Sequence, residues 1–160
     1  MNEIIKKKSV ERFENFLKKI NSNYKIIYLD KTARSAKEAA YSLNVEVGSI
    51  LKSLIFKTDK NLYILCLVSG DRLVSIEKLS NILNYKITKA NADEIKSITG
   101  FSIGGIPPFA HINKIETLID ESLSRFKNLY AAAGHPHCIF KTSYSDICNI
   151  TSGKILDITS

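Results

Sequence analysis

At 160 residues, with 44% hydrophobic and 24% charged side chains, the chain is long enough for one ordinary core and lacks the polar balance of disordered sequences. No run approaches the roughly 18 apolar residues that a membrane-spanning helix needs, and Lys6, Lys7 and Lys8 lead into a mixed segment rather than a signal-peptide core. The expectation is a cytoplasmic protein with no membrane attachment. Of the net charge of +7, most lies early: the first 80 residues hold 15 Lys/Arg against 9 Asp/Glu, the last 80 hold 8 against 7. That asymmetry fits a basic face for a polyanion or a solvated lysine-rich surface. Cys66, Cys138 and Cys148 are odd in number and lack CxxC spacing, which reads as reduced, buried small hydrophobes.

In chain order, Val10, Phe13, Phe16, Leu17 and Ile20 form one face of an N-terminal helix. A strand over 24–29 follows. Ser35 and Glu38 have capping-box spacing ahead of a helix over 36–43 that ends near Asn44. Residues 49–57 and 62–68 are rich in branched apolar side chains and read as a hairpin around 58–61. A helix over 73–83 and an extended segment over 86–88 come next. Asn91 and Glu94 cap another helix that Gly100 ends. Strands over 117–119, 128–132 and 138–141, a helix over 143–149 capped by Ser143 and Asp146, and a strand over 154–157 complete a mixed α/β domain built on a central, partly barrel-like sheet flanked by helices.

The rare residues collect in two places. Pro107, Pro108 and His111 share one loop, and His135, Pro136 and His137 another. In Gly104-Gly105-Ile106-Pro107-Pro108 the glycines permit positive φ and close approach of a ligand, the prolines fix the exit, and Gly104, Gly105 and Ile106 keep N–H donors. Such a loop holds a carbonyl oxygen, phosphate or ribose hydroxyl, or is simply a rigid tight turn. The small residues of Ala131-Ala132-Ala133-Gly134 leave room beside the sheet for a pocket wall. A zinc site at His135 and His137 is disfavoured, because strand alternation would turn the two rings to opposite faces. Gly100-Phe101-Ser102-Ile103-Gly104 has G-x-S-x-G spacing but follows a helix rather than a strand, so it is not a nucleophile elbow, and no H-E-x-x-H, P-loop or G-x-G-x-x-G after a strand is present. Lys52, amid Ile50, Leu51, Leu54 and Ile55, either snorkels from an edge or faces a cavity, on the same side as Ile50 and Leu54.

Seven segments in order resemble one known family: Ala36-Lys37-Glu38-Ala39-Ala40, Ile50-Leu51-Lys52-Ser53-Leu54, Ser69-Gly70-Asp71-Arg72, Thr99-Gly100-Phe101 before the Gly-Gly-x-x-Pro loop, Ile119-Asp120-Glu121-Ser122-Leu123, Ala132-Ala133-Gly134 and Leu156-Asp157-Ile158. They are similar to the YbaK/prolyl-tRNA-synthetase-associated editing domain, and the likeness runs from about Thr32 to Ile158. The resemblance implies a free-standing trans-editing aminoacyl-tRNA deacylase, with residues 1–30 an N-terminal helix and strand of the same compact domain as the editing region, 31–160. Its implied catalytic set is Lys52, Gly104 and Gly105; its implied substrate-binding residues are Ile106, Pro107, Pro108, Gly134 and His135. Water would attack the ester, helped by the substrate's ribose hydroxyl, with no metal, cofactor or covalent intermediate.

Aminoacyl-tRNA is the implied partner, with a synthetase a further one. Pro107-Pro108-Phe109 stands where other members carry Ser before the loop proline, which looks more like the branch clearing alanine or 2-aminobutyrate from tRNA(Pro) or a related tRNA. A Cys-tRNA deacylase and a non-catalytic tRNA- or synthetase-binding module are the alternatives.

Overall fold

The computed structural model describes residues 8–160; of the lysines that open the chain, Lys6 and Lys7 lie outside them. Helix α1 (Lys8–Ile20) and strand β1 (Ile26–Tyr28) come first, followed by α2 (Ala36–Leu43), β2 (Ile50–Thr58), β3 (Tyr63–Ser69) and α3 (Ile76–Leu83). Then come β4 (Ile87–Lys89), α4 (Ala92–Thr99), β5 (Glu116–Asp120), β6 (Asn128–His135), β7 (Cys138–Ser143), α5 (Tyr144–Thr151) and β8 (Lys154–Leu156). The strands form one mixed sheet in the order β1-β7-β6-β2-β3-β5-β8, and β4 branches from β2. This is the mixed α/β architecture expected from the alternating elements. Among the described residues, no helix is long and apolar enough to cross a membrane.

Helix starts follow side-chain capping. Ser35, Ser75, Asn91 and Ser143 each accept the N–H of the residue three positions on, but only Asn91 and Glu94 complete the reciprocal box. Helix α3 begins at Ile76 rather than at 73. Val74 forms a β-bridge with Thr159 and the Leu73 carbonyl accepts from Ser160 N–H, which holds this stretch extended until Ser75 can cap.

Side-chain alternation divides the core between the two faces of the sheet. On one face Leu51, Ile55, Leu65, Leu67, Leu129 and Phe140 meet Phe13 of α1, Ile95 of α4 and Ile147 of α5. Phe13 contacts the rings of Phe101, Phe109 and Phe140 with centroids 5.0–6.4 Å apart, so α1 clamps the Gly-Pro loop region onto this face. The opposite face carries two separate clusters: Phe56, Ile64, Cys66 and Val68 under α3's Leu79, and Ile50 and Ile139 under α2's Ala39 and Ala40. Lys52 projects between them, which is why a lysine interrupts an otherwise apolar strand.

Two family-like segments act as clips. Buried Asp120 accepts the N–H groups of Ser122 and Ile158, the Ser122 hydroxyl and the Thr159 hydroxyl, tying β5 to the chain's last turn. Asp71 takes both Nη atoms of Arg125, at 3.0 and 2.7 Å, and this hydrogen bonding holds its carboxyl below the usual carboxylate range.

Candidate active site

A cleft of about 620 Å³ opens where the sheet divides, a size typical of small-ligand sites. Its walls come from residues 33–37 and Ala39 leading into and along α2, from residues 50–56 of β2, from Ile103, Gly104 and Ile106, from residues 130–132 of β6, and from His135, Cys138, Lys89 and Ala90. The floor is apolar and includes small side chains, notably Ala36, Ala39, Ala131 and Ala132. Among the described residues, four lysines or arginines, Arg34, Lys37, Lys52 and Lys89, line the cleft, and no Asp or Glu does.

Lys52 is therefore a cleft residue on an interior strand. Its Nζ donates to the Arg72 carbonyl at 2.6 Å. Burial pushes the ammonium pKa down from its ordinary value, and the nearby Asp71 carboxylate opposes that shift.

Around the Gly-Pro loop the structure separates residues that the sequence grouped together. Gly104, at φ +91°, lines the cleft; a Cβ there would meet Pro136 Cγ at 3.3 Å and Arg34 Cγ at 3.8 Å. The N–H groups of Gly104 and Ile106 have no acceptor among the described residues. Gly105 differs. Its N–H donates to the Ser102 carbonyl at 3.1 Å, and its carbonyl accepts from Gly134 N–H at 2.9 Å, so it is not a free donor. It is a glycine because β6 backbone lies against it: a Cβ would stand 2.6 Å from His135 N.

Gly134, expected to bind substrate, is instead held between that loop and α1. Its carbonyl accepts from Ser9 Oγ at 3.0 Å, and a Cβ would meet the Ser9 carbonyl at 3.0 Å. Pro107 and Pro108 are buried and do not line the cleft; the Pro107 carbonyl is engaged by His111 Nε2 at 2.8 Å. Burial lowers the His111 pKa, which favours the neutral ring.

His135 lines the cleft, but the pair geometry differs from simple alternation. Strand β6 runs on to His135, and the chain turns at Pro136 and His137 before β7. The two imidazoles consequently stack, with centroids 5.5 Å apart and planes at 29°. His137 Nδ1 lies 2.8 Å from the Leu29 carbonyl. Among the described residues no group of three His, Cys, Asp or Glu side chains is placed to hold a metal. Cys138 touches the cleft, yet burial pushes its thiol up to about 12, so it is neutral and a poor nucleophile near pH 7.

The sequence model of the aminoacyl-tRNA editing domain matches residues 30–150. The chain belongs to that family. Among solved structures it resembles a candidate trans-editing enzyme for prolyl-tRNA synthetase, with 30% identity, a TM-score of 0.89, and 96% of this chain and 98% of that one covered. Among curated proteins it is 24% identical over 127 residues to EbsC of Enterococcus faecalis, a candidate Cys-tRNA(Pro)/Cys-tRNA(Cys) deacylase, covering 79% of this chain and 77% of EbsC. It is also 27% identical over 131 residues to proline–tRNA ligase 1 of Bacillus cereus, covering 75% of this chain and 23% of the ligase.

Within the editing domain, Lys52, Gly104, Ile106 and His135 are thus brought to one cleft, while Gly105, Gly134, Pro107 and Pro108 shape it from behind. The sequence reading missed Arg34, Lys37 and Lys89 as rim cations. The charge excess of the first half pointed toward Arg34 and Lys37, but nothing local marked Lys89.

Proposed function

We propose that this chain is a trans-editing deacylase that hydrolyses the ester of a mischarged aminoacyl-tRNA, with alanine or a 2-aminobutyrate-like residue on tRNA(Pro) or a related tRNA as substrate. One observation carries the reading. The cleft joins an apolar floor to four cations, with no carboxylate lining it among the described residues. That combination suits a small neutral side chain esterified to an RNA terminus, because the cations meet phosphates and the floor meets the amino acid. A second sieve of this kind is useful because a synthetase pocket discriminates a missing methylene by only about 1–3 kcal/mol.

Chemistry in the cleft needs orientation more than a nucleophile. The Lys52 ammonium and the free N–H groups of Gly104 and Ile106 are donors for the ester and ribose oxygens on which charge develops as water adds and the ribose oxygen leaves. The terminal ribose's free hydroxyl helps place that water or stabilise the leaving oxygen. Arg34, Lys37 and Lys89 hold the phosphates of the acceptor end.

The likeness to EbsC favours cysteine as a second reading of the amino acid. A panel of tRNA(Pro) charged with alanine, 2-aminobutyrate, cysteine or proline tests both. Faster release of alanine or 2-aminobutyrate supports the first, and faster release of cysteine replaces it with the second. Saturable tRNA binding without turnover would instead indicate a tRNA- or synthetase-binding module.

A further inference from the structure

The division of the sheet that opens the cleft leaves one residue without its backbone partners. Strand β2 pairs with β3 from Leu51↔Ser69 to Lys57↔Tyr63. On its other side β6 meets only Ile50 and Leu51, and β4 meets only Phe56, Lys57 and Thr58. Backbone groups alternate across a strand, and three hydrogen bonds fix the phase here. The Ile50 carbonyl accepts from Gly70 N–H and Thr58 N–H donates to the Leu62 carbonyl, both on the β3 side, whereas the Ile55 carbonyl accepts from Ala90 N–H on the other. Even-numbered residues of β2 thus turn their N–H and C=O toward β3, and odd-numbered ones turn them away. Ser53 is the odd-numbered residue inside the division, so its N–H and C=O open into the cleft with no strand opposite.

A separate observation falls on the same residue. The Ser53 hydroxyl is buried and has no hydrogen-bond partner, the one side-chain polar atom in that condition among the described residues. A buried hydroxyl left unpaired carries an uncompensated desolvation cost, so a ligand that supplies a partner is favoured there. Ser53 lines the cleft beside Lys52.

We propose that Ser53 docks the aminoacyl group of the substrate as a one-residue strand. The ester carbonyl accepts from Ser53 N–H, the α-ammonium donates to the Ser53 carbonyl, and the Ser53 hydroxyl is a second acceptor for the ammonium. The inference rests on the editing reading above and names how that site recognises its substrate class. An α-amino ester carries a donor and an acceptor on either side of one Cα, as a strand residue does, and facing residues in a ladder exchange both bonds. Peptides that add to a sheet edge use the same groups. It follows that the cleft selects esters bearing a free α-amine, and that N-acylated or amine-lacking acyl groups are poor substrates whatever their size.

The test uses the full chain, ¹⁵N-labelled, and 3′-deoxy-3′-(L-alanylamido)adenosine, whose amide resists hydrolysis, beside its N-acetylalanyl and propionyl counterparts. The free-amine compound is expected to move the Ser53 amide proton downfield and to bind at least about tenfold more tightly than the other two. Ser53→Ala, which keeps the backbone groups, is expected to shrink that preference about fivefold, the range of one hydrogen bond. Equal binding of the three compounds, a Ser53 amide that stays put while Leu54 and Ile106 shift, an unchanged preference in Ser53→Ala, or no binding at all would overturn the proposal. Alanyl- and propionyl-tRNA separate it from the editing reading. Equal hydrolysis of both keeps the deacylase and refutes docking at Ser53, whereas no hydrolysis with the free-amine amide still docked there refutes the deacylase alone.

Discussion

Gly105→Ala is the substitution on which a substrate-facing glycine and a packing glycine part company. The added methyl would stand 2.6 Å from His135 N and 2.8 Å from both Gly134 C and His135 Cα. All three are backbone atoms of β6, and the Ser9 hydroxyl's bond to the Gly134 carbonyl ties that strand end to α1, so no rotamer change relieves the contact. The loop has to lift off β6, losing the 2.9 Å bond from Gly134 N–H to the Gly105 carbonyl. Overpacking costs about 1–3 kcal/mol and one backbone hydrogen bond about 1 kcal/mol, together roughly 2–4 kcal/mol. At roughly 2–4 °C per kcal/mol for a domain of this size, Tm should fall by about 4–16 °C.

Gly104→Ala provides the contrast. Its strain comes from φ +91°, at about 1–3 kcal/mol, because the methyl would meet only Pro136 Cγ at 3.3 Å and Arg34 Cγ at 3.8 Å. Its melt should fall less, while deacylation falls at least as far, since the methyl enters the cleft. Thermal melts beside initial deacylation rates for the two variants decide the matter. A Gly105→Ala protein melting within ~2 °C of wild type would show that the packing argument is wrong.

Further outcomes follow from the electrostatics of the cleft and its surroundings. Affinity for tRNA should fall steeply with salt, and neutralising Arg34, Lys37 or Lys89 should each reduce the log–log slope by about 0.7 if it contacts single-stranded phosphate; unchanged slopes would remove these residues from the interface. Alkylation near pH 7 should modify Cys148 before Cys66 or Cys138, whose thiols burial pushes up to about 12, and should leave deacylation intact; inactivation tracking Cys138 labelling would restore a thiol nucleophile. Glu94, hydrogen-bonded to Lys57 and Tyr63 at 2.7 Å each, is held down at about 2. A depressed carboxylate adds stability above its unfolded pKa that is lost as pH falls through its folded one, so this contribution should fade between about 4.5 and about 2. NMR titration of Glu94 checks the value, and Lys57→Gln should raise it; no rise would show that Lys57 is not its main support.

Local chemistry made much of this architecture legible in the sequence. Ser35, Asn91 and Ser143 start helices because each side chain answers a nearby N–H, an interaction written within four residues. The alternation of β2 also set Lys52 with Ile50 and Leu54 correctly. What local reading could not supply was any partner distant in the chain. Val74 is extended because Thr159 lies beside it, which shortens α3. Gly105 and Gly134 look like open, ligand-facing glycines until β6 and α1 are packed against them. His135 and His137 stack because the strand ends between them. Ser53 carried no signal at all, since its significance comes from β6 and β4 leaving it unpaired.

If the cleft around Lys52 and Gly104 hydrolyses an aminoacyl ester, single-turnover deacylation of Ala-tRNA(Pro) without added metal will show it. Wild-type protein should release alanine well above the buffer rate, while Lys52→Met, with a melt close to wild type, should be slower by at least about tenfold, or about 1.4 kcal/mol of transition-state stabilisation. A folded Lys52→Met protein that retains the full rate, or a wild-type protein that releases none of alanine, 2-aminobutyrate or cysteine from tRNA(Pro), would contradict it.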